Sequence, residues 1–228
     1  MPQPASALQQ RDPFIQVLLV APTKWGKSTI AESLITAFGQ GLIINCGRRS
    51  GLDFLLTRST KFEWERATDE ETMEVALRAA RDGVKAGTYK WVAVDDFGYY
   101  VLWLEDALEK DSHNDKGEPD GRKYWPAYHK RLGNLVGRLC DLKCHLVVTT
   151  HPDVFMGKSR DGIPGRFPHV VIGDRTNKGE RVFLINSESH PGYGSCGISG
   201  EHTLPADLGA FAKFVTEHQQ QQKRAVKK

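Results

Sequence analysis

The stretch APTKWGKST, residues 21–29, follows the apolar run FIQVLLV of residues 14–20 and is the most informative part of this chain. It nearly matches G-x-x-x-x-G-K-[ST], the pattern of a loop that holds nucleotide phosphates between a strand and a helix. Ala21 stands where the pattern has its first glycine. A β-carbon there costs roughly 1 kcal/mol if the backbone is left-handed. Because alanine is the smallest replacement, we expect the loop to form.

The loop residues have distinct expected tasks. Backbone N–H groups and the positive end of the following helix would hold the β-phosphate. Lys27 would reach the β- and γ-phosphates, and Ser28 would ligate Mg²⁺. Gly26 would let the backbone approach the ligand, and Thr29 would lie near the α-phosphate. The predicted ATP site is the whole loop: Ala21, Pro22, Thr23, Lys24, Trp25, Gly26, Lys27, Ser28 and Thr29.

Strands and helices alternate along the rest of the chain. Buried strands are predicted at residues 14–20, 41–45, 89–94 and 145–150, and helices at 27–38, 68–86, about 125–142 and 205–218. Thr68 and Glu71 have the spacing of a capping box for the second helix. This alternation predicts an α/β fold with a mostly parallel sheet covered on both faces. Strands at 170–172 and 181–185 predict an antiparallel edge hairpin.

The 228 residues fit one α/β domain, predicted at residues 13–218. Residues 1–12 are predicted to be a flexible arm, 109–123 a surface insertion, and 219–228 a disordered basic tail. The sequence has neither a signal peptide nor an apolar run of about 20 residues. We therefore expect a cytoplasmic protein, in the host cytoplasm if it is viral, with no membrane partner.

The charge and the cysteines are less informative. A net charge of +3 weakly favours a nucleic-acid partner. The four cysteines are sparse enough for a reducing compartment. Cys140, Cys144 and the nearby His145 and His151 invite comparison with a zinc site. Their spacing is not C-x-x-C, so packed thiols are the preferred interpretation.

Two later strands end in polar residues. In WVAVDD, residues 91–96, Asp95 is placed to hold the water shell of Mg²⁺. Asp96 would orient or deprotonate the attacking water, or it would cap the helix that follows. In HLVVTTH, residues 145–151, Thr150 and His151 would end near the γ-phosphate and sense its hydrolysis, or would face solvent.

These three motifs, in this order and at these spacings, resemble the RecA-like P-loop ATPases of phages, a group of small AAA-type nucleotide-binding proteins. The resemblance covers roughly residues 14–190. It implies a RecA-like fold, ATP and Mg²⁺ as cofactors, and a homo-oligomeric ring or filament. It also implies action on nucleic acid, above all single-stranded DNA. Some members act in recombination with single-strand-annealing or single-strand-binding proteins.

The chain departs from this family at two places. Ala21 replaces the motif glycine, and the segment INCGRRSGLD after the second strand lacks the glutamate that family members carry there. Asp53 is the nearest acid, and it lies too far along the chain to replace the glutamate. Either Asp96 therefore takes the catalytic role, or hydrolysis is slow and needs a neighbouring subunit.

Basic residues supply the remaining expectations. In the hairpin GDRTNKGER, Arg175 is the first candidate for a cation that acts on a neighbouring subunit's nucleotide, followed by Lys178 and Arg181. Arg48 and Arg49 are second candidates. The loop after His151 is where the family contacts DNA, and here it carries Lys158, Arg160 and Arg166 as candidate nucleic-acid contacts. Solvated charges remain the alternative for both segments.

Four functions therefore compete. The first is a nucleic-acid-dependent ATPase of phage DNA recombination or repair. The second is a viral genome-packaging ATPase, which is disfavoured because Asp96 and His151 stand where such motors have a glutamate and a glutamine. The third is a nucleotide-gated DNA-binding module with little hydrolysis. The fourth is a small-molecule kinase, for which the segment around Ser159–Gly162 offers too few arginines for a lid.

Overall fold

A computed structural model describes residues 14–47, 50–155, 163–188, 194–196 and 198–226. The eight strands of this part are β1 (Gln16–Val20), β2 (Gly41–Asn45), β3 (Phe62–Arg66), β4 (Trp91–Asp95), β5 (His145–Thr150), β6 (His169–Arg175), β7 (Arg181–Ile185) and β8 (His202–Pro205). The helices are α1 (Ile30–Phe38), α2 (Ser50–Leu56), α3 (Glu70–Lys85), α4 (Phe97–Asp111), α5 (Gly121–Cys140), α6 (Pro152–Phe155) and α7 (Leu208–Val226). A short 3-10 turn covers Pro164–Arg166.

All eight strands form one sheet in the order β3-β2-β4-β5-β1-β6-β7-β8. The first six strands in this order pair in parallel. The β6–β7 and β7–β8 pairs are antiparallel. The predicted α/β fold, its mostly parallel sheet and the edge hairpin are therefore confirmed. The apolar strand β5 lies between β1 and β4, so the ends of all three meet at one edge of the sheet.

The helices cover both faces, as the alternating sequence predicts. On one face α3, α4 and α5 bury residues such as Leu77, Val101 and Leu132 against the sheet. On the other face α1, α2 and α7 bury residues such as Leu34, Leu55 and Phe211. No helix of the described chain is both long and apolar enough to cross a membrane.

Four elements lie outside the sequence-based prediction, one of them the four-residue α6 in the segment predicted to be a loop. The segment FEWER forms β3 at one edge of the sheet, and HTLP forms β8 at the other. Both strands carry polar or half-exposed side chains, so neither shows an apolar run. Helix α2 is only seven residues long, too short for a clear helical period.

The predicted capping box is corrected by one residue. Helix α3 begins after Asp69, whose carboxylate accepts a 2.8 Å hydrogen bond from the Thr72 N–H. The Thr72 hydroxyl accepts in turn from the Asp69 N–H at 3.1 Å. Aspartate is a stronger cap than threonine, and this explains why Asp69 takes the place predicted for Thr68.

Two segments predicted to be irregular are helical in part. Residues 109–111 complete α4 and 121–123 open α5, so only residues 112–120 connect them, with a bridge between His113 and Pro119. Helix α7 continues through residues 219–226, where a disordered tail was predicted. Glutamine, lysine, arginine and alanine are all good helix formers. The predicted arm at residues 1–12 lies outside the described residues.

Candidate functional site

The predicted phosphate loop, residues 21–29, connects β1 to α1 at the carboxyl edge of the sheet. Ala21 is wholly buried there, and its N–H donates to the Thr150 carbonyl at 3.0 Å. The backbone has positive φ at Lys24 (61°) and Gly26 (107°), but not at Ala21. The penalty expected for replacing the motif glycine is therefore absent, because the left-handed turns fall elsewhere in the loop.

Several loop N–H groups are available to an anion. Within the described chain, the backbone N–H groups of Gly26, Lys27 and Ser28 donate to no protein acceptor. Consecutive N–H groups of this kind, at the start of a helix, form an anion-binding concavity. The hydroxyl of Thr29 makes no capping hydrogen bond either.

Trp25 fixes the loop to the sheet instead of facing a ligand with its ring. The side chain is 2% exposed and stacks on Phe183 of β7. Its Nε1–H donates to the carbonyl of Asp174 in β6 at 2.7 Å. Gly173 makes room for it, since a β-carbon there would lie 2.8 Å from the indole and 2.7 Å from Ala21 Cβ. Of the predicted nucleotide-binding residues, Trp25 can therefore contribute only backbone atoms.

Ser28 and Asp95 meet where a Mg²⁺ ligand pair was predicted. The Ser28 hydroxyl donates to Asp95 Oδ2 at 2.6 Å, and the Thr149 hydroxyl donates to Asp95 Oδ1 at 2.8 Å. Asp95 is 5% exposed. Burial raises the pKa of its carboxyl group, and the hydrogen bond from Ser28 acts against that shift. A buried carboxylate beside a serine hydroxyl supplies the oxygen donors that Mg²⁺ takes, with phosphates and waters completing its shell.

Sequence reasoning did not single out Thr149, although it did name its neighbour Thr150. Besides binding Asp95, the Thr149 hydroxyl accepts a 2.9 Å hydrogen bond from the Asp96 N–H. The Thr150 hydroxyl instead points to the backbone, 3.4 Å from the His151 carbonyl. Successive strand side chains face opposite sides of a sheet, so the two threonines cannot both face Asp95. This alternation is the sequence signal that could have distinguished Thr149 from Thr150.

Lys27 lies at the centre of the site and is 7% exposed. Its Nζ donates to the carbonyls of Ala21 at 3.2 Å and Pro22 at 3.1 Å, and lies 3.8 Å from Asp96 Oδ1. Burial lowers the pKa of Lys27, while the carboxylates of Asp96 and Asp95 act in the opposite direction. A partly desolvated ammonium group beside unpaired N–H groups is suited to bind phosphate oxygens.

His151 bridges Lys27 and Asp96. Its Nδ1 lies 3.3 Å from Lys27 Nζ and 3.3 Å from the Thr23 hydroxyl, and its Nε2 lies 3.3 Å from Asp96 Oδ1. An ammonium group can only donate, so Nδ1 is the acceptor. In the neutral ring the proton is then on Nε2, the nitrogen that faces the carboxylate.

Asp96 occupies the cap position of α4 without acting as a cap. Its side chain makes no capping hydrogen bond, and its backbone is left-handed at φ 53°. Its Oδ1 is buried and makes no well-aligned hydrogen bond within the described chain. A non-glycine residue in this conformation is held there by its surroundings at a cost of order 1–3 kcal/mol. The geometry therefore does not support the capping interpretation of Asp96, and the catalytic interpretation stays a prediction.

The hairpin arginines take two different positions. Arg175, at the end of β6, is exposed, and its Nη1 donates to the Gly179 carbonyl of its own turn at 2.7 Å. Arg181, opposite it at the start of β7, lies against Gly26 of the phosphate loop.

The candidate nucleic-acid contacts are not brought to the phosphate loop. Lys158 and Arg160 lie outside the described residues, as do Arg48, Arg49 and the segment 159–162. Arg166 precedes β6, so it lies at the opposite edge of the sheet from the loop, where its Nη1 donates to the Gly133 carbonyl of α5 at 3.3 Å. All four cysteines are free thiols, and no group of three or more metal-ligating side chains occurs among the described residues.

Comparisons with known proteins show the fold and nothing finer. No protein-family model and no curated protein sequence matches the chain. Among solved structures, the chain is similar to the assembled ATPase EscN from the type III secretion system of enteropathogenic E. coli. The match has a TM-score of 0.52 at 14% identity and covers 71% of this chain and 43% of that one. The chain thus has an α/β fold like that of an ATPase, and the phage family expected from the motifs is not shown.

Proposed function

We propose that this chain binds ATP with Mg²⁺ and hydrolyses it, and that it does so as an oligomer acting on nucleic acid, in phage DNA recombination or repair. The proposal depends above all on three side chains that two separate segments of the chain bring together. Lys27 and Ser28 follow β1, Asp95 ends β4, and the Ser28 hydroxyl lies 2.6 Å from the Asp95 carboxylate. The fold similarity to an assembled ATPase supports the proposal at the level of nucleotide hydrolysis.

The proposed roles follow from these positions. Loop N–H groups and Lys27 bind the phosphates, and Ser28 and Asp95 would hold Mg²⁺. Bound there, the ion would neutralise charge on the phosphate oxygens. Asp96 orients the attacking water, since its carboxylate faces the site and is not used as a cap. His151 holds Asp96 and Lys27 in place through its two ring nitrogens.

The nucleic-acid part of the proposal has separate support. It rests on the order and spacing of the three motifs and on the basic loop with Lys158, Arg160 and Arg166. In an oligomer, Arg175 would reach the nucleotide of a neighbouring subunit, because it is exposed and, among the described residues, bonds only to its own turn. Single-stranded DNA is the proposed ligand, and a single-strand-binding or annealing protein is the proposed further partner.

A nucleotide-gated DNA-binding module is the second candidate. The chain has no glutamate at the end of β2, where related ATPases have their catalytic base, and Asp53 lies on α2, exposed. In this case ATP would assemble the protein on DNA and hydrolysis would be slow. A genome-packaging motor shares the same nucleotide site and differs in requiring double-stranded DNA.

The deciding experiment measures ATP binding and the ATPase rate with no nucleic acid, single-stranded DNA, double-stranded DNA and RNA. Lys27→Ala is the loop variant, and Arg78→Gln, on the exposed side of α3, is the control. We expect stimulation by single-stranded DNA that Lys27→Ala abolishes. Stimulation by double-stranded DNA alone would favour packaging, and binding without turnover would favour the gated module. Failure of the wild-type protein to bind ATP would overturn the proposal.

A further inference from the structure

We infer that Arg181 is a phosphate-binding residue of its own subunit, in contrast to the role on a neighbouring subunit that its place in the hairpin suggests. This inference rests on the proposed function, since it assigns a further residue to the same nucleotide site. It starts from the position of β7. Strand β6 pairs with β1, and β7 pairs with β6, so the start of β7 lies at the edge from which the phosphate loop emerges.

The contact between Arg181 and the loop is close. A β-carbon built at Gly26 would collide with Nη1 of Arg181 and would lie 3.3 Å from its Cζ and 3.5 Å from its Cδ. The guanidinium group and its stem therefore run along the loop backbone, in the space that any other residue at position 26 would fill. Gly26 also has φ 107°, which glycine adopts without strain. A glycine is therefore needed at position 26 for two reasons: its backbone adopts the turn, and its lack of a side chain leaves room for Arg181.

Within the part of the chain that the structure describes, no carboxylate neutralises Arg181. Among the described residues Arg181 has no ion-pair partner, and its side chain is exposed. Its cross-strand neighbour, Arg175, carries the same charge and turns toward the Gly179 carbonyl. Like charges directly opposite each other on a sheet are unfavourable, so an anion between the hairpin and the loop would relieve the repulsion.

The chemistry of the position selects a phosphate. A guanidinium group is permanently charged and offers paired N–H donors that match two phosphate oxygens. Beside it are Lys27 and the unpaired N–H groups of Gly26, Lys27 and Ser28. A polyphosphate bound by these groups would meet Arg181 without any help from a second subunit. The alternative is that Arg181 rests on the loop as a solvated charge and takes no part in binding.

The test measures the affinity of a fluorescent ATP analogue at protein concentrations low enough to keep the subunits dissociated, which sedimentation verifies. Variants are Arg181→Gln, Arg181→Lys and the control Arg78→Gln. Charge-assisted hydrogen bonds to phosphate imply a loss of about tenfold to a hundredfold in affinity for Arg181→Gln. We expect a smaller loss for Arg181→Lys, which keeps the charge without the fork, and a change within about twofold for Arg78→Gln.

The outcomes separate this inference from the proposed function. Thermal unfolding of each variant excludes a folding defect as the cause. If the wild-type protein binds ATP and Lys27→Ala does not, but Arg181→Gln binds as the wild type does, Arg181 is not a binding residue and the inference is wrong. It is also wrong if Arg181→Gln loses only hydrolysis and regains it when mixed with Lys27→Ala subunits, because that behaviour defines a residue acting on its neighbour. If the wild-type protein does not bind ATP, both proposals fall.

Discussion

Ala21 shows how a motif can lose a glycine without losing its loop. The position is fully buried, has no positive φ, and faces Gly173, where a β-carbon would lie 2.7 Å from Ala21 Cβ. We therefore expect Ala21→Gly to destabilise the protein. The loss of one buried methyl group and the added freedom of the unfolded chain together amount to about 1–2 kcal/mol. Urea unfolding measures the difference, and equal or greater stability of Ala21→Gly would contradict this account.

Asp96 and Asp69 allow a direct comparison of an aspartate proposed to be catalytic with one that caps a helix. Asp69 binds the Thr72 N–H, whereas Asp96 makes no capping hydrogen bond. We expect Asp96→Asn to slow ATP hydrolysis by about a hundredfold or more, with ATP affinity and stability nearly unchanged. Asp69→Ala should instead cost about 1 kcal/mol of stability and leave hydrolysis intact. Single-turnover kinetics and urea unfolding of both variants decide; a stability loss without a kinetic defect in Asp96→Asn would make it a structural residue.

His145 couples stability to pH. Its ring stacks on Phe38 at 3.8 Å, and its Nδ1 accepts a 3.2 Å hydrogen bond from the Ile15 N–H. Burial lowers the pKa of His145 from 6.5 to about 4. Between these values the unfolded chain binds a proton that the folded chain does not. The contribution of His145 to the free energy of unfolding is therefore complete above pH 6.5 and is lost as the pH falls toward 4.

His145→Gln tests this coupling, since glutamine can still accept from Ile15 but does not titrate. We expect the urea midpoint of the wild-type protein to fall between pH 7 and pH 5 more steeply than that of His145→Gln. If the urea midpoints of the two proteins fall in parallel with pH, other groups cause the loss of stability.

At the scale of elements, the sequence predicts the central strands and fails at the edges. β1, β2, β4 and β5 are almost entirely buried, so each contains a run of three or more apolar residues. At the edge, apolar Phe62 and Trp64 alternate with charged residues such as the exposed Glu63. This is the period of a half-buried strand, but the run is only five residues long and contains no continuous apolar stretch. The three motifs lie at the ends of central strands, which explains why Lys27, Asp95 and His151 could be placed together from sequence. The approach of Arg181 to Gly26 depends on the register of β7, which the sequence does not encode locally.

Trp25 attaches the phosphate loop to strands β6 and β7. Trp25→Phe would keep the apolar contact with Phe183 and remove the hydrogen bond to the Asp174 carbonyl. We expect a loss of about 1 kcal/mol in stability and a several-fold weaker ATP affinity, because a looser loop orders itself only on binding. Trp125→Phe on α5 is the control for tryptophan content. Unchanged ATP affinity in Trp25→Phe would show that the loop keeps its shape without the bond.

At the scale of the whole molecule, one sheet edge collects all the groups proposed to act on ATP. The ends of β1, β4 and β5 supply Lys27, Asp95 and His151, and the hairpin on the far side of β1 supplies two arginines. Both arginines are exposed, but Arg181 lies on the phosphate loop of its own subunit, whereas Arg175 bonds to its own turn. This division predicts that a subunit binds ATP alone and that only a pair of subunits hydrolyses it.

Mixing two inactive variants tests that division. Arg175→Gln should bind ATP and hydrolyse it slowly, because it lacks the cation that its neighbour's nucleotide requires, and Lys27→Ala should not bind ATP at all. In an equal mixture, random head-to-tail assembly would place an intact ATP site beside an intact Arg175 at about a quarter of the interfaces. We therefore expect about a quarter of the wild-type ATPase rate, rising with protein concentration as assembly proceeds. If the mixture is no more active than its components, Arg175 does not act on a neighbouring subunit. If the ATPase rate per subunit does not change on dilution, one chain is sufficient for hydrolysis.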